Sequence, residues 1–153
     1  MAADSPQVFA LRLHELIEKA KESPEQVVRK VGLDIAESLI EKSPVGDPTL
    51  WKNDPPPGYV GGRFKANWNC AFGRIDTLTT PSTDKGGEKT KNRIRIQLNG
   101  WQGGQDIFLT NSLPYAIPLE YGHSKQAPLG MVRLTVTQFQ TFIDKAVREV
   151  RTQ

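Results

Sequence analysis

Cysteine is nearly absent: Cys70 is the only one in 153 residues, and a lone thiol closes no internal disulfide, which fits a reducing compartment. Histidine is almost as scarce, with His14 and His123 alone, so acid–base and metal chemistry has few candidate actors. No apolar run approaches the roughly 20 residues that span a bilayer. The opening MAADSPQ lacks the basic stretch and apolar run of a signal peptide. The expectation is a soluble product of the cytoplasm with no membrane partner.

What is present suits a single globular domain over 1–153. Hydrophobic residues make up 37% and charged residues 24%, an ordinary balance for a chain of about modal domain size. Such a chain buries roughly two-thirds of its unfolded surface, enough for one modest core. The net charge of +3 is unevenly spread: residues 1–76 carry 10 basic and 11 acidic side chains, residues 77–153 carry 10 and 6. The densest basic run, KGGEKTKNRIR, holds Lys85, Lys89, Lys91, Arg93 and Arg95. It suits phosphates or an acidic partner, although a solvated loop and exposed face is the commoner reading of such a run.

Helical spacing dominates the first third. Phe9, Leu13, Leu16, Ile17 and Ala20 form one apolar stripe. SPEQ then restarts a helix, with Ser23 as cap, Pro24 in the first turn and Gln26 at the capping-box position. Val28, Val31, Ile35 and Leu39 supply its buried face, and it should stop before Pro44. Residues 44–62 contain five prolines and four glycines, which marks a long loop; its Trp51 and Tyr59 suit docking on the domain or on a partner.

RFKANWNCAF, residues 63–72, alternates. Phe64, Ala66, Trp68, Cys70 and Phe72 would face the core, with Lys65, Asn67 and Asn69 opposite, as in a half-buried strand. An exposed, basic connection is expected over 74–92. NRIRIQL fits either strand or helix, and DIFLTN reads as a short buried strand. From Val132 the apolar residues Val136, Phe139, Ile143, Ala146 and Val150 step by four and three, predicting one C-terminal helix. The fold class expected is α+β, with helices covering one side of a small antiparallel sheet.

Chemistry is thinly supplied. HELIE, at His14 to Glu18, starts like the zinc-protease helix but lacks the second histidine. GGEKT lacks the spacing of a phosphate loop. His123 and Ser124 are sequence neighbours, and triad members seldom are. No catalytic residue, metal or cofactor is assigned, and the expectation is that the protein is not an enzyme.

Three segments together carry a resemblance. GGRFKANWN, SPVGDPTLW and above all DIFLTNSLPYAIPLEYGHSKQAPLGMVRLTV resemble blocks of the tail-completion proteins of long-tailed bacteriophages, the head–tail joining, neck or minor tail components. The likeness spans about residues 36–148, and the departures are the enlarged Pro-rich loop and the basic stretch at 85–95. In such relatives the region matching 88–100 is often helical, which tilts NRIRIQL toward helix. The resemblance implies a structural virion protein without catalysis. It implies a homo-oligomeric ring of about six copies, meeting connector or head-completion proteins and tail tube or terminator proteins.

The interface candidates are Trp51 and Tyr59 of the Pro-rich loop and, on that resemblance, Arg63, Asn67 and Trp68 of GGRFKANWN and Asn111 of DIFLTN. The signature block adds Tyr115, Glu120, Tyr121, Ser124, Gln126, Pro128, Met131 and Arg133. Lys89, Lys91, Arg93 and Arg95 are candidates for a lumen through which DNA passes. Two rival readings are a basic nucleic-acid-binding module using 85–95 and a hydrolase centred on His123 and Ser124.

Overall fold

A computed structural model describes residues 24–46, 57, 60–121 and 130–151. The expected first helix, the Ser23 cap and residues Trp51, Tyr59, His123, Ser124, Gln126 and Pro128 lie outside the described residues. Among those described, helix α1 runs Pro24–Lys42. Proline at its first position lacks only an N–H that the helix leaves unpaired anyway. Val28, Val31, Ile35 and Leu39 are buried as expected, joined by Val27, Ala36 and Ile40. The helix ends where Pro44 disfavours helical geometry for the residue before it.

The segment 63–72 differs from the strand expected. Arg63–Ala66 form a short helix, α2, and only Asn69–Phe72 form strand β1. Phe64 and Trp68 are four residues apart, so a helical turn brings them together as readily as alternation does. Their rings meet edge-on at 6.0 Å. Asn67 closes the turn by donating from its side-chain amide to Arg63 O at 2.7 Å. β1 pairs antiparallel with β2, Ile107–Thr110, with Cys70 opposite Leu109 and Asn69 opposite Thr110.

The expected solvent face of this strand pair is covered too. Asn67 exchanges two bonds with the backbone of Thr80, at 3.0 and 2.8 Å. Asn69 donates to Leu78 O at 2.7 Å, and Thr110 Oγ1 donates to Asp76 O at 2.7 Å. Residues 76–80 are thereby strapped across the polar side of the two strands. The outer edge of β1 is closed by α3, whose Arg93 and Gln97 donate to Trp68 O and Cys70 O.

Helix α3, Glu88–Asn99, settles the ambiguous NRIRIQL. Thr90, Ile94 and Leu98 are buried at steps of four, whereas Ile96 is 72% exposed, which excludes alternation. The basic connection therefore ends at Gly87, and residues 88–92 are helical. After β2 come α4, Ala116–Glu120, α5, Val132–Thr137, and α6, Phe139–Arg151. The single C-terminal helix expected is thus two, divided at Gln138. Thr137 Oγ1 draws Leu134 O to 2.6 Å, Gln138 N–H bonds Thr135 O instead of continuing the ladder, and the Gln138 side chain accepts from Lys42 at 2.7 Å. α1 packs between α3 and α6, and α3 packs against β1, so the core is an α+β arrangement of helices on a two-stranded antiparallel sheet.

Candidate interaction site

The signature block forms a clasp. Glu120, the last residue of α4, turns its carboxylate onto the start of α5. There it accepts the backbone N–H groups of Met131 at 2.7 Å, Val132 at 2.9 Å and Arg133 at 3.0 Å. The first N–H groups of a helix have no internal partner and carry partial positive charge, so one carboxylate serves three donors and the helix dipole together. Arg133 returns the contact, its Nε 3.2 Å from Glu120 Oε1 and its Nη2 on Glu120 O. Gly130 has φ 83°, and a Cβ there would lie 2.5 Å from Glu120 O and from its carboxylate. Only glycine lets the two ends meet. The clasp ties the end of α4 to the start of α5.

Above the clasp lies an apolar ledge. Ile117 is 71% exposed, Tyr121 65% and Tyr115 39%. Tyr115 leans on Phe64 with ring centres 5.9 Å apart, and the Arg133 guanidinium sits 5.1 Å from the Tyr121 ring centre. Pro118 lies within this turn, and Asn111 secures its approach by donating to Phe64 O at 2.8 Å.

Beneath it is a polar knot. Trp68 Nε1 donates to Ser43 Oγ at 2.8 Å, and Ser43 Oγ donates to Leu39 O at 2.6 Å with Met131 Sδ at 3.5 Å. Nearby, Lys42 donates to Ser38, whose hydroxyl lies 3.1 Å from Thr135 Oγ1. Burial depresses the Lys42 pKa, and a serine beside such a lysine has the composition of a nucleophilic pair. Ser38 and Thr135 are both buried, however, and Lys42 is held by Gln138, so these hydroxyls tie α1 to α5.

The candidates named from the sequence therefore separate. Tyr115 and Tyr121 reach the surface. Glu120 and Arg133 spend most of their polar groups inside the chain. Asn67, Trp68 and Met131 are 1%, 5% and 2% exposed and face their own core, a correction to their place as interface residues, since so little of them is left for a neighbour. Arg63 donates to Thr80 O at 3.1 Å. Of the lumen candidates, Lys91 is paired with Glu41 and Glu88, Arg93 is on the carbonyls of Ala66 and Trp68, and Arg95 is on Asn92 and Glu37. Lys89 alone of the four is exposed with no bond among the described residues.

Burial pushes the Cys70 thiol up to about 12, with Arg93 opposing, which makes it a small core residue with little thiolate. Among the described residues no three His, Cys, Asp or Glu side chains stand where they could share a metal ion. No helix among them is long and apolar enough to cross a membrane. A shallow cleft of about 260 Å³ between α1, α3 and α6 is lined by Arg29, Lys30, Arg95 and Glu149 over Leu33 and Leu98; Lys30 pairs with Glu149, Arg29 donates to Trp101 O and Arg95 is held by Glu37. The chain matches no protein-family model, and no curated protein or solved structure is significantly similar to it.

Sequence reasoning missed Ser43 and Ile117. Ser43 sits between the helix end and Pro44, a position that signals a cap more than a core bond. Ile117, directly before Pro118, gives no periodic signal in so short a helix.

Proposed function

We propose that the protein is a structural subunit of a tailed-bacteriophage virion. Made in the host cytoplasm, it assembles head to tail into a ring at the head–tail junction or tail top and joins the tail to the connector. The observation that carries this reading is the ledge of Tyr115, Ile117 and Tyr121. Three large apolar side chains stand in water on a turn held by prolines and the Glu120 clasp. Rigid aromatic and aliphatic groups lose little entropy on docking, which is the economy of a subunit interface. The likeness of the same segment to tail-completion proteins gives the partners: further copies of this chain, connector or head-completion proteins, and tail tube or terminator proteins. A contact between unlike faces of identical subunits closes into a ring when its rotation closes.

Light scattering on a sizing column tests this. A closed oligomer near six copies, about 100 kDa for chains of 17.0 kDa, is the expected result in solution or on adding purified tails. Ile117→Asp should dissolve it without lowering the melting temperature of the monomer. Removing an isoleucine already 71% exposed forfeits about 1–2 kcal/mol at each interface. A protein that stays monomeric at every concentration and binds neither tails nor tailless heads refutes the reading.

A further inference from the structure

The start of α3 holds a cation that its surroundings leave uncommitted. Gly87, at φ 80°, brings the helix start against α1 so closely that a Cβ would fall 2.5 Å from Ile40 Cγ2. The stem of Lys65 passes the same point, its Cδ 3.8 Å from where that Cβ would be. Lys65 is only 9% exposed, yet among the described residues its ammonium has neither a hydrogen bond nor an ion pair. A buried stem with an unpaired head is a lysine reaching for solvent or for an anion.

The acids nearby are already engaged. Asp84 accepts Thr90 N–H and Thr90 Oγ1, both at 2.8 Å. Glu41 and Glu88 converge on Lys91 at 3.0 and 3.5 Å. Burial, and next Lys91, lower the pKa of Lys65, while Glu41 and Asp84 act in the opposite sense. Beside Lys65 the N–H groups of Glu88 and Lys89 open the helix with no partner among the described residues, and Lys85 and Lys89 stand exposed around them.

We propose that Lys65 and the first turn of α3 form an oxyanion site that takes a phosphodiester of a nucleic-acid backbone. One unpaired ammonium balances the single charge of a phosphodiester, and the helix start supplies two backbone donors with no partner among the described residues. Gly86, exposed and without a side chain, leaves the solvent side of the helix start open, while the Gly87 Cβ direction is filled by Ile40 of α1. Lys91, Arg93 and Arg95 lie in the same basic run but are occupied internally, so the residue that matters lies outside the run, on α2.

The test has two arms on the whole chain, using wild type, Lys65→Gln, Lys65→Arg and the remote control Lys145→Gln. Inorganic phosphate, added at constant ionic strength, should move the amide resonances of Gly87, Glu88 and Lys89, and Lys65→Gln should abolish the shift. A short duplex DNA should bind Lys65→Gln about eightfold more weakly at ~0.1 M salt, with the slope of log affinity on log salt reduced by about 0.9, the value of one lost phosphate contact. Lys65→Arg should keep both. Equal loss in Lys65→Gln and Lys145→Gln overturns the site, because it reports net charge alone. Phosphate shifts with no change in DNA affinity overturn the nucleic-acid assignment in favour of free phosphate. Both arms work on a monomer, so ring formation can fail while this site stands, and the reverse.

Discussion

Replacing Glu120 by alanine should unfold the protein at a lower temperature before it does anything to assembly. The carboxylate serves three backbone N–H groups within 3.0 Å and the Arg133 Nε at 3.2 Å. A hydrogen bond to a charged group contributes about 1.5–3 kcal/mol net, and loss of a helix cap costs about 1 kcal/mol. Those figures overlap instead of adding, since water can reach some of the freed donors. The ion pair with Arg133, whose side chain is 40% exposed, adds well under 1 kcal/mol. A loss of about 3 kcal/mol remains, equivalent to a fall of about 6–12 °C in a chain of this length. Glu120→Gln, which keeps one acceptor oxygen, should lose about half as much. The assay is thermal denaturation by circular dichroism at a concentration where the protein is monomeric. A drop below about 2 °C for Glu120→Ala would mean that the clasp is not what holds α4 to α5. An unchanged monomer melt with broken assembly would instead make Glu120 an interface residue.

Gly130→Ala should be as damaging as losing Glu120, by about 2–4 kcal/mol, because φ 83° and a Cβ 2.5 Å from Glu120 leave no room to adjust; the same melts check it. Ser43→Ala should cost about 1–3 kcal/mol by stranding the indole N–H of the buried Trp68, and Ser43→Thr should recover part of it in denaturant titrations. Asp34→Asn should raise stability near neutral pH. Burial raises the Asp34 pKa despite Lys30 and Lys145, and its Oδ2 has no partner. A folded pKa above the unfolded value means stability present below the ordinary aspartate range and lost as pH rises through the folded value. The gain from Asp34→Asn should therefore shrink as pH falls through that window, and a gain independent of pH would contradict it.

How far the structure could be read from the chain depends on how many periods a segment satisfies. Val28, Val31, Ile35 and Leu39 between Pro24 and Pro44 fit one period only, and α1 follows them from end to end. Phe64, Ala66 and Trp68 satisfy two, and the choice fell to Asn67, whose side chain closes a helical turn and then holds Thr80. That second bond is also why Asn67 and Asn69 misled: residues read as facing water face a strap 9 to 13 positions further on. A polar residue that bonds backbone at such a distance looks, in sequence, the same as a solvated one. The basic run misled in the same way, since Arg93 spends its guanidinium on two carbonyls of its own chain.

The signature block shows the opposite limit. Its oddness in composition was plain, and it suggested a surface for partners. Much of that oddness has an internal cause: Glu120, Gly130 and Arg133 are the residues a 13-residue clasp requires, and Met131 and Trp68 share one buried serine. Subtracting what the chain needs to hold itself leaves Ile117 and Tyr121, with Tyr115 half-committed to Phe64. Ile117 is 71% and Tyr121 65% exposed even with the Arg133 guanidinium over the Tyr121 ring. On the proposed reading, this exposed apolar surface, set on a turn anchored by the clasp, is the surface a neighbouring subunit would cover.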